Sequence, residues 1–331
     1  MKKFLSLVTA LLLLLGLLPM SVFADETADE LHYLALGDSI STGLQADGSH
    51  LSDERFTDIL AANGGYILTN AAVNTNYAIG ILAQFADGSL DEALADADLI
   101  TITIGGNDMK LLLYHLIAEA YYNMTGISID PDLGVQEGMT GDDPAVRMNL
   151  LFAAVSVLPG FSELEAFDAT LAAFLENFAL VLDHIEAVNP DAEVIVCTQY
   201  NPYYRFTLPT TLLLKTEFEA GILKLNQAIL DYAEEGGYRI ADVYTAFHTS
   251  EENLSNADDA SMQLDFHPNV AGHAVIADCI QAVLDSMTEE TPAEETIVEE
   301  TPVEEVPAEE TPAEETAAPA SGMAYSFTLV L

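Results

Sequence analysis

Three short blocks hold the residues that could do chemistry. Gly37-Asp38-Ser39-Ile40 follows a short apolar run, Tyr33 to Leu36. A serine just past a strand end, in a turn that leads into a helix, exposes its hydroxyl. The helix start that follows offers backbone N–H groups and a positive dipole to a developing oxyanion. Gly105-Gly106-Asn107-Asp108 follows the strongest strand signal, Leu99 to Ile104. Two glycines let the backbone come close to a ligand, and the asparagine amide is a preorganised neutral donor. Asp265-Phe266-His267-Pro268-Asn269 precedes a helical pattern from about Val270 to Ser286. Proline after His267 biases that residue to an extended backbone. An imidazole there can take a proton from a hydroxyl, and a neighbouring carboxylate can fix its tautomer. Each block alone also reads as an ordinary turn or a structural pair. The three in this order point to acyl transfer through a serine.

The elements that must position these blocks alternate. Five strands are expected: Tyr33–Leu36, Ile67–Asn70, Leu99–Ile104, Glu193–Thr198 and Arg239–Val243. Helical spacing fills the gaps, as in Ala172 to Val188 and Leu212 to Glu235. Continuous apolar strands between helices predict a parallel sheet covered on both faces. This is a doubly wound α/β domain with its site at the C-terminal strand ends. The stretch from Met109 to Asn189 is long for one crossover. Within it Leu111 to Tyr122 looks helical, Thr125 to Pro144 looks like a loop, and Met148 to Val157 is apolar. That insert is either a wall beside the site or extra core helices.

In order and spacing the blocks resemble the SGNH (GDSL-type) hydrolase family. Leu36-Gly37-Asp38-Ser39 is similar to its first block, Gly105-Gly106-Asn107-Asp108 to its third, and Asp265, His267, Pro268 and Asn269 to its last. Asn189-Pro190 and Tyr200-Asn201-Pro202 resemble its lipase-like members. The resemblance covers about Leu31 to Thr288. It implies a flavodoxin-like three-layer α/β/α fold with about five parallel strands. It implies Ser39 as nucleophile, His267 as base and Asp265 as the residue that orients His267. It implies an oxyanion hole from the Ser39 N–H, the Asn107 side chain and a backbone N–H of the second block. That block reads Asn70-Ala71-Ala72-Val73-Asn74-Thr75-Asn76, with Thr75 where the family carries glycine. A threonine keeps the N–H but resists positive φ. Only Phe266 separates Asp265 from His267, where the family usually has two residues, so a backbone carbonyl is the alternative group to orient His267. Gly-x-Ser-x-Gly is absent around Ser39, so the α/β-hydrolase elbow does not apply.

The implied activity is hydrolysis of carboxylic esters, lipase- or acylhydrolase-like, without metal or organic cofactor. A carbohydrate or cell-wall O-acetylesterase is the alternative within this chemistry. A degenerate module that binds surface glycans is the alternative outside it. His32, His50, His115, His184 and His248 show no ligand spacing. His273 is expected to pack or cap, and Asn226 to touch a neighbouring loop. Cys197 and Cys279 are read as buried free thiols, with a disulfide as the lesser alternative.

The chain has 331 residues, with 54 acidic and 9 basic side chains and a net charge of −45. Such charge excludes nucleic acid and anionic membrane surfaces as electrostatic partners. Met1-Lys2-Lys3, the apolar run Phe4 to Leu18 and the small residues before Asp25 form a secretory signal pattern, cut after about Ala24. No later apolar stretch stands out. After about Met287, Thr-Pro-Ala-Glu-Glu repeats leave nothing to bury. The expected organisation is a signal at 1–24, a catalytic domain at 25–288 and an acidic disordered tail at 289–331. The expected location is extracellular, with the tail as a spacer suited to hold the domain at a cell surface.

Overall fold

The computed structural model describes residues 30–141, 143–209 and 211–290. The signal and most of the acidic tail therefore lie outside the described residues. Five parallel strands form one sheet in the order β2-β1-β3-β4-β5. They are β1 (His32–Gly37), β2 (Ile67–Asn70), β3 (Leu99–Thr103), β4 (Glu193–Cys197) and β5 (Arg239–Ala241). This is the flavodoxin-like order, with its switch point between β1 and β3. The fifth strand is shorter than expected. The Asp242 carboxylate accepts the Thr245 N–H at 3.0 Å and starts a helix where the strand pattern would have continued.

Alternation along the central strands divides the interior into two cores. Leu34, Leu36, Ile100, Ile102 and Val196 face one side. There they meet α3 (Ala78–Ala86), α5 (Gly106–Thr125), α7 (Pro144–Val157), α8 (Glu165–Val188) and α9 (Leu212–Gly236). Tyr33, Ala35, Ile195, Cys197 and Ala241 face the other side. There they meet α2 (Phe56–Gly64), α10 (Val243–Thr249) and α11 (Val270–Glu290). By length and mean hydropathy the Val270–Met287 stretch is apolar enough to cross a membrane. In the fold its Ile276, Ala277 and Ile280 are buried in this second core.

The insert is core. Leu150, Ala153 and Ala154 of α7 are buried with residues of α5 and α8. The segment expected as a loop holds a further helix, α6 (Leu133–Thr140). The Asp130 carboxylate accepts the Asp132 and Leu133 N–H groups at 3.0 and 2.8 Å, and buried Val135 anchors the first turn. Short α1 (Ser39–Thr42) and α4 (Asp91–Ala95) complete the helices named here.

Cys197 is buried and Cys279 is half-buried, and both are free thiols. Asn226 on α9 accepts the Gln199 N–H and donates to the Gln199 carbonyl, both at 2.7 Å, which ties the loop after β4 to the helix. His273 both packs and caps. Its ring stacks on Phe56 with centroids 6.2 Å apart, and its Nδ1 accepts the Phe56 N–H at 3.4 Å. Burial pushes its pKa down to about 4, and the His267 and Arg55 charges add to this.

Two predictions follow from these backbone and burial details. Unfolded histidine takes a proton near pH 6.5, whereas folded His273 resists one until about 4. Between those values the unfolded chain binds more protons, so this residue makes stability rise with pH. Relative to His273→Phe, the native chain should therefore gain up to about 3 kcal/mol from pH 4 to pH 7, read from denaturant unfolding at both pH values. Parallel pH curves for the two proteins would refute this. Separately, Thr75 holds φ at +59°, a left-handed conformation that costs a β-branched residue about 1 kcal/mol or more. Thr75→Gly should raise unfolding free energy by about 1 kcal/mol, measured in the same way.

Candidate active site

The site lies at the C-terminal ends of β1 and β3. Gly37 closes β1 at φ +144°, and a Cβ there would stand 2.5 Å from both the carbonyl oxygen and the hydroxyl of Thr103. Only glycine lets β1 turn this close to β3. Asp38 then caps α1, its Oδ1 accepting the Ile40 N–H at 2.9 Å. Ser39 follows as the first residue of that helix and is 3% exposed. A parallel arrangement ends β3. Gly105, at φ +109°, packs against the Phe174 ring, where a Cβ would stand 3.0 Å away. Asn107 then enters the first turn of α5 and is buried.

His267 reaches this point from the loop before α11. Its Nε2 is 3.0 Å from Ser39 Oγ, across 228 residues of sequence. Its Nδ1 is 2.6 Å from Asp265 Oδ1. The one-residue spacing is accommodated by a bent loop pinned from several sides. Tyr200 donates its hydroxyl to the Phe266 carbonyl at 2.7 Å. The Asn256 N–H meets the His267 carbonyl at 2.9 Å, and Ser255 bridges antiparallel to Pro268. Asn256 also donates its amide to Asp265 Oδ2 at 2.9 Å and to Gln45 Oε1 at 3.2 Å. Gln45 in turn donates to the Pro268 carbonyl at 3.2 Å. Each Asp265 oxygen thus has a partner, and the carboxylate aims one of them at the imidazole. Asn256, Gln45 and Tyr200 were not anticipated as site residues. Tyr200 lies in the Tyr200-Asn201-Pro202 block, but its contact with Phe266 spans 66 residues, and no local pattern marks Asn256 or Gln45.

The three expected oxyanion donors differ. The Ser39 N–H has no acceptor among the described residues, as a first helical position allows. The Thr75 N–H is likewise untaken, and the left-handed turn that sets it is the conformation glycine would have supplied. The Asn107 amide, in contrast, is already spent. Its Nδ2 donates to Asp38 Oδ2 at 3.2 Å and to the Asn76 carbonyl at 3.1 Å. Donation to an oxyanion from Asn107 requires exchange of one of these acceptors, and the longer contact is to Asp38.

Two carboxyls, those of Asp38 and of Asp108 next to Asn107 in sequence, are perturbed by burial. Burial raises Asp38 to about 6, against the lowering effect of the Ile40 N–H, Lys110 and His267. Burial raises Asp108 to about 7, against the Ala78 N–H that it accepts at the start of α3. The Asp38 charge pushes Asp108 further up. Among the described residues, no three His, Cys, Asp or Glu side chains are grouped to hold a metal ion. The remaining histidines lie in other settings, such as His184 stacked on Phe85 and His248 beside Glu219 at 3.2 Å.

Known proteins resemble this chain in sequence and in fold. The uncharacterized protein YpmR of Bacillus subtilis is 23% identical over 265 residues, which span 77% of this chain and 82% of that protein. An extracellular lipase from Streptomyces rimosus superposes with a TM-score of 0.50 at 18% identity, over 76% of this chain and 99% of the lipase. A phospholipase A1 from Streptomyces albidoflavus superposes with a TM-score of 0.51 at 17% identity, over 77% of this chain and 99% of that enzyme. At such identities the two structures establish the fold. The model of the GDSL-like lipase/acylhydrolase family matches residues 35–275, from β1 into the final helix, and the chain belongs to that family.

Proposed function

We propose that the chain is an exported serine hydrolase of carboxylic esters, working through an acyl-enzyme on Ser39. One observation carries the reading: a continuous hydrogen-bond chain from Ser39 Oγ through His267 to Asp265, at 3.0 and 2.6 Å. Hydroxyl, imidazole and carboxylate in that order form the arrangement that activates a serine.

In the first half-reaction Ser39 Oγ attacks the ester carbonyl carbon, and its proton passes to His267 Nε2. The imidazolium is steadied by Asp265, itself held by Asn256. The carbonyl oxygen becomes an oxyanion facing the free Ser39 and Thr75 N–H groups. Asn107 joins them by releasing Asp38. When the tetrahedral intermediate collapses, the C–O bond to the alcohol breaks and His267 returns its proton to the departing oxygen. In the second half a water attacks the acyl-Ser39 carbonyl while His267 takes its proton. Collapse frees the carboxylic acid and restores the Ser39 hydroxyl.

The N-terminal signal pattern supports export with cleavage after about Ala24, and the acidic repeats support a spacer role for the tail. The mature protein should be recovered outside the cell with an N-terminus near Asp25, as read by N-terminal sequencing.

A fluorophosphonate should label wild-type protein on the peptide containing Ser39, as mapped by mass spectrometry. Ser39→Ala should lose the label and about ten-thousand-fold or more in kcat on short p-nitrophenyl esters, with its circular dichroism unchanged. Asp265→Asn should lose on the order of a thousand-fold or more while still folding. Undiminished turnover in Ser39→Ala would sink the reading.

A further inference from the structure

One charged residue beside the site has no part in the mechanism above. Lys110 lies three residues after Asn107 on α5, so both project from the same face of the helix. Its Nζ stands 5.1 Å from the centre of the Phe266 ring and 5.5 Å from that of Tyr114. The Phe266 ring in turn lies 4.5 Å from the His267 imidazole, centre to centre. The ammonium therefore sits over the aromatic ring next to the base.

Arg55, Lys224 and Arg239 each find a carboxylate within 2.6–3.6 Å. Lys110, like Lys215, forms no such ion pair, and unlike Arg147 and Arg205 it has no backbone carbonyl partner either. Asp38 and Asp132 act on it through space, yet neither reaches ion-pair distance. No hydrogen bond from its ammonium to a described residue is formed, and its nitrogen is not among the sealed, unpartnered polar atoms. Two aromatic faces hold the charge while its N–H donors remain open. Burial holds its pKa below the usual lysine range, so part of its hydration is already lost.

An open ammonium on an aromatic platform beside the nucleophile and base suits an anion. We propose that Lys110 forms an anion subsite, and that the preferred substrates carry a carboxylate or phosphate close to the scissile ester. The rest of the surface repels such molecules at a net charge of −45, so this residue is what would admit them. The inference rests on the ester-hydrolase reading and names its substrate class.

The test compares matched esters on the mature, exported chain. One pair is p-nitrophenyl valerate against the p-nitrophenyl half-ester of glutarate, which places a carboxylate on the acyl side. The other is a monoacylglycerol against the corresponding acylglycerol phosphate, which places a phosphate on the alcohol side. The readout is the ratio of kcat/KM, anionic over neutral, in wild type, Lys110→Met and Lys110→Arg. In at least one pair the ratio should fall about tenfold or more in Lys110→Met and be largely kept in Lys110→Arg. The pair that responds identifies which anion is read. Fluorophosphonate labelling of Ser39 in each variant reports an assembled site. Turnover of the neutral esters with the same ratio in wild type and Lys110→Met would overturn the subsite and leave the esterase standing. No turnover of any ester together with no label on Ser39 would overturn the esterase reading, and the subsite with it.

Discussion

The close approach of β1 to β3 at Gly37 is the constraint on which the site depends. A side chain at that position would collide with the Thr103 backbone and hydroxyl. With it absent, the chain turns at once from strand to helix, and Ser39 emerges at the first helical position with its N–H unspent. The same strand ends then bring Asn107 to Asp38, since β1 and β3 are paired neighbours up to Gly37 and Thr103. Ser39 and Asn107 thus hang from the ends of paired strands, whereas His267 and Asp265 arrive together from a loop outside the sheet.

That division explains what the sequence disclosed. Four of the five strands could be read nearly to the residue, because runs such as Leu99 to Thr103 are continuous, β-branched and ended by glycine. The fifth was overestimated because a capping aspartate, Asp242, competes with the strand pattern. The helix at Leu133–Thr140 was hidden by glycine, aspartate and proline, residues that mark loops on average but also start and end helices. Ser39, Asn107, Asp265 and His267 were visible because their neighbours form recognisable blocks. Their supports were not. Asn256 acts on Asp265 and Gln45, and Tyr200 acts on Phe266, all through folded proximity. Thr75 is intermediate: the position was legible, whereas its left-handed backbone required the structure.

The electrostatics of the site run against those of the chain as a whole. The sequence carries a large negative charge, yet two carboxyls flanking the site are pushed toward neutrality by burial, Asp38 to about 6 and Asp108 to about 7. A low-dielectric pocket disfavours two adjacent anions, and the fold limits them by burial. Asp265 accepts the Asn256 amide on one oxygen and turns the other to the imidazole. Three aspartates thus occupy three environments: Asp38 caps a helix, Asp108 keeps one buried oxygen without a partner, and Asp265 meets the His267 ring.

The distance in sequence between Ser39 and His267 has a kinetic consequence. Every strand of the sheet is complete by Ala241, well before Asp265 is reached. Closing a loop of this length costs entropy that grows only slowly with length, but it must be met before the long-range contacts repay it. A chain that extends only to β5 holds all five strands and Ser39, but it lacks His267 and the α10 and α11 residues that fill the second core. The proposed base and the packing of that core therefore arrive together, when the segment from Asn253 to Asn269 docks against the loops after β1 and β4.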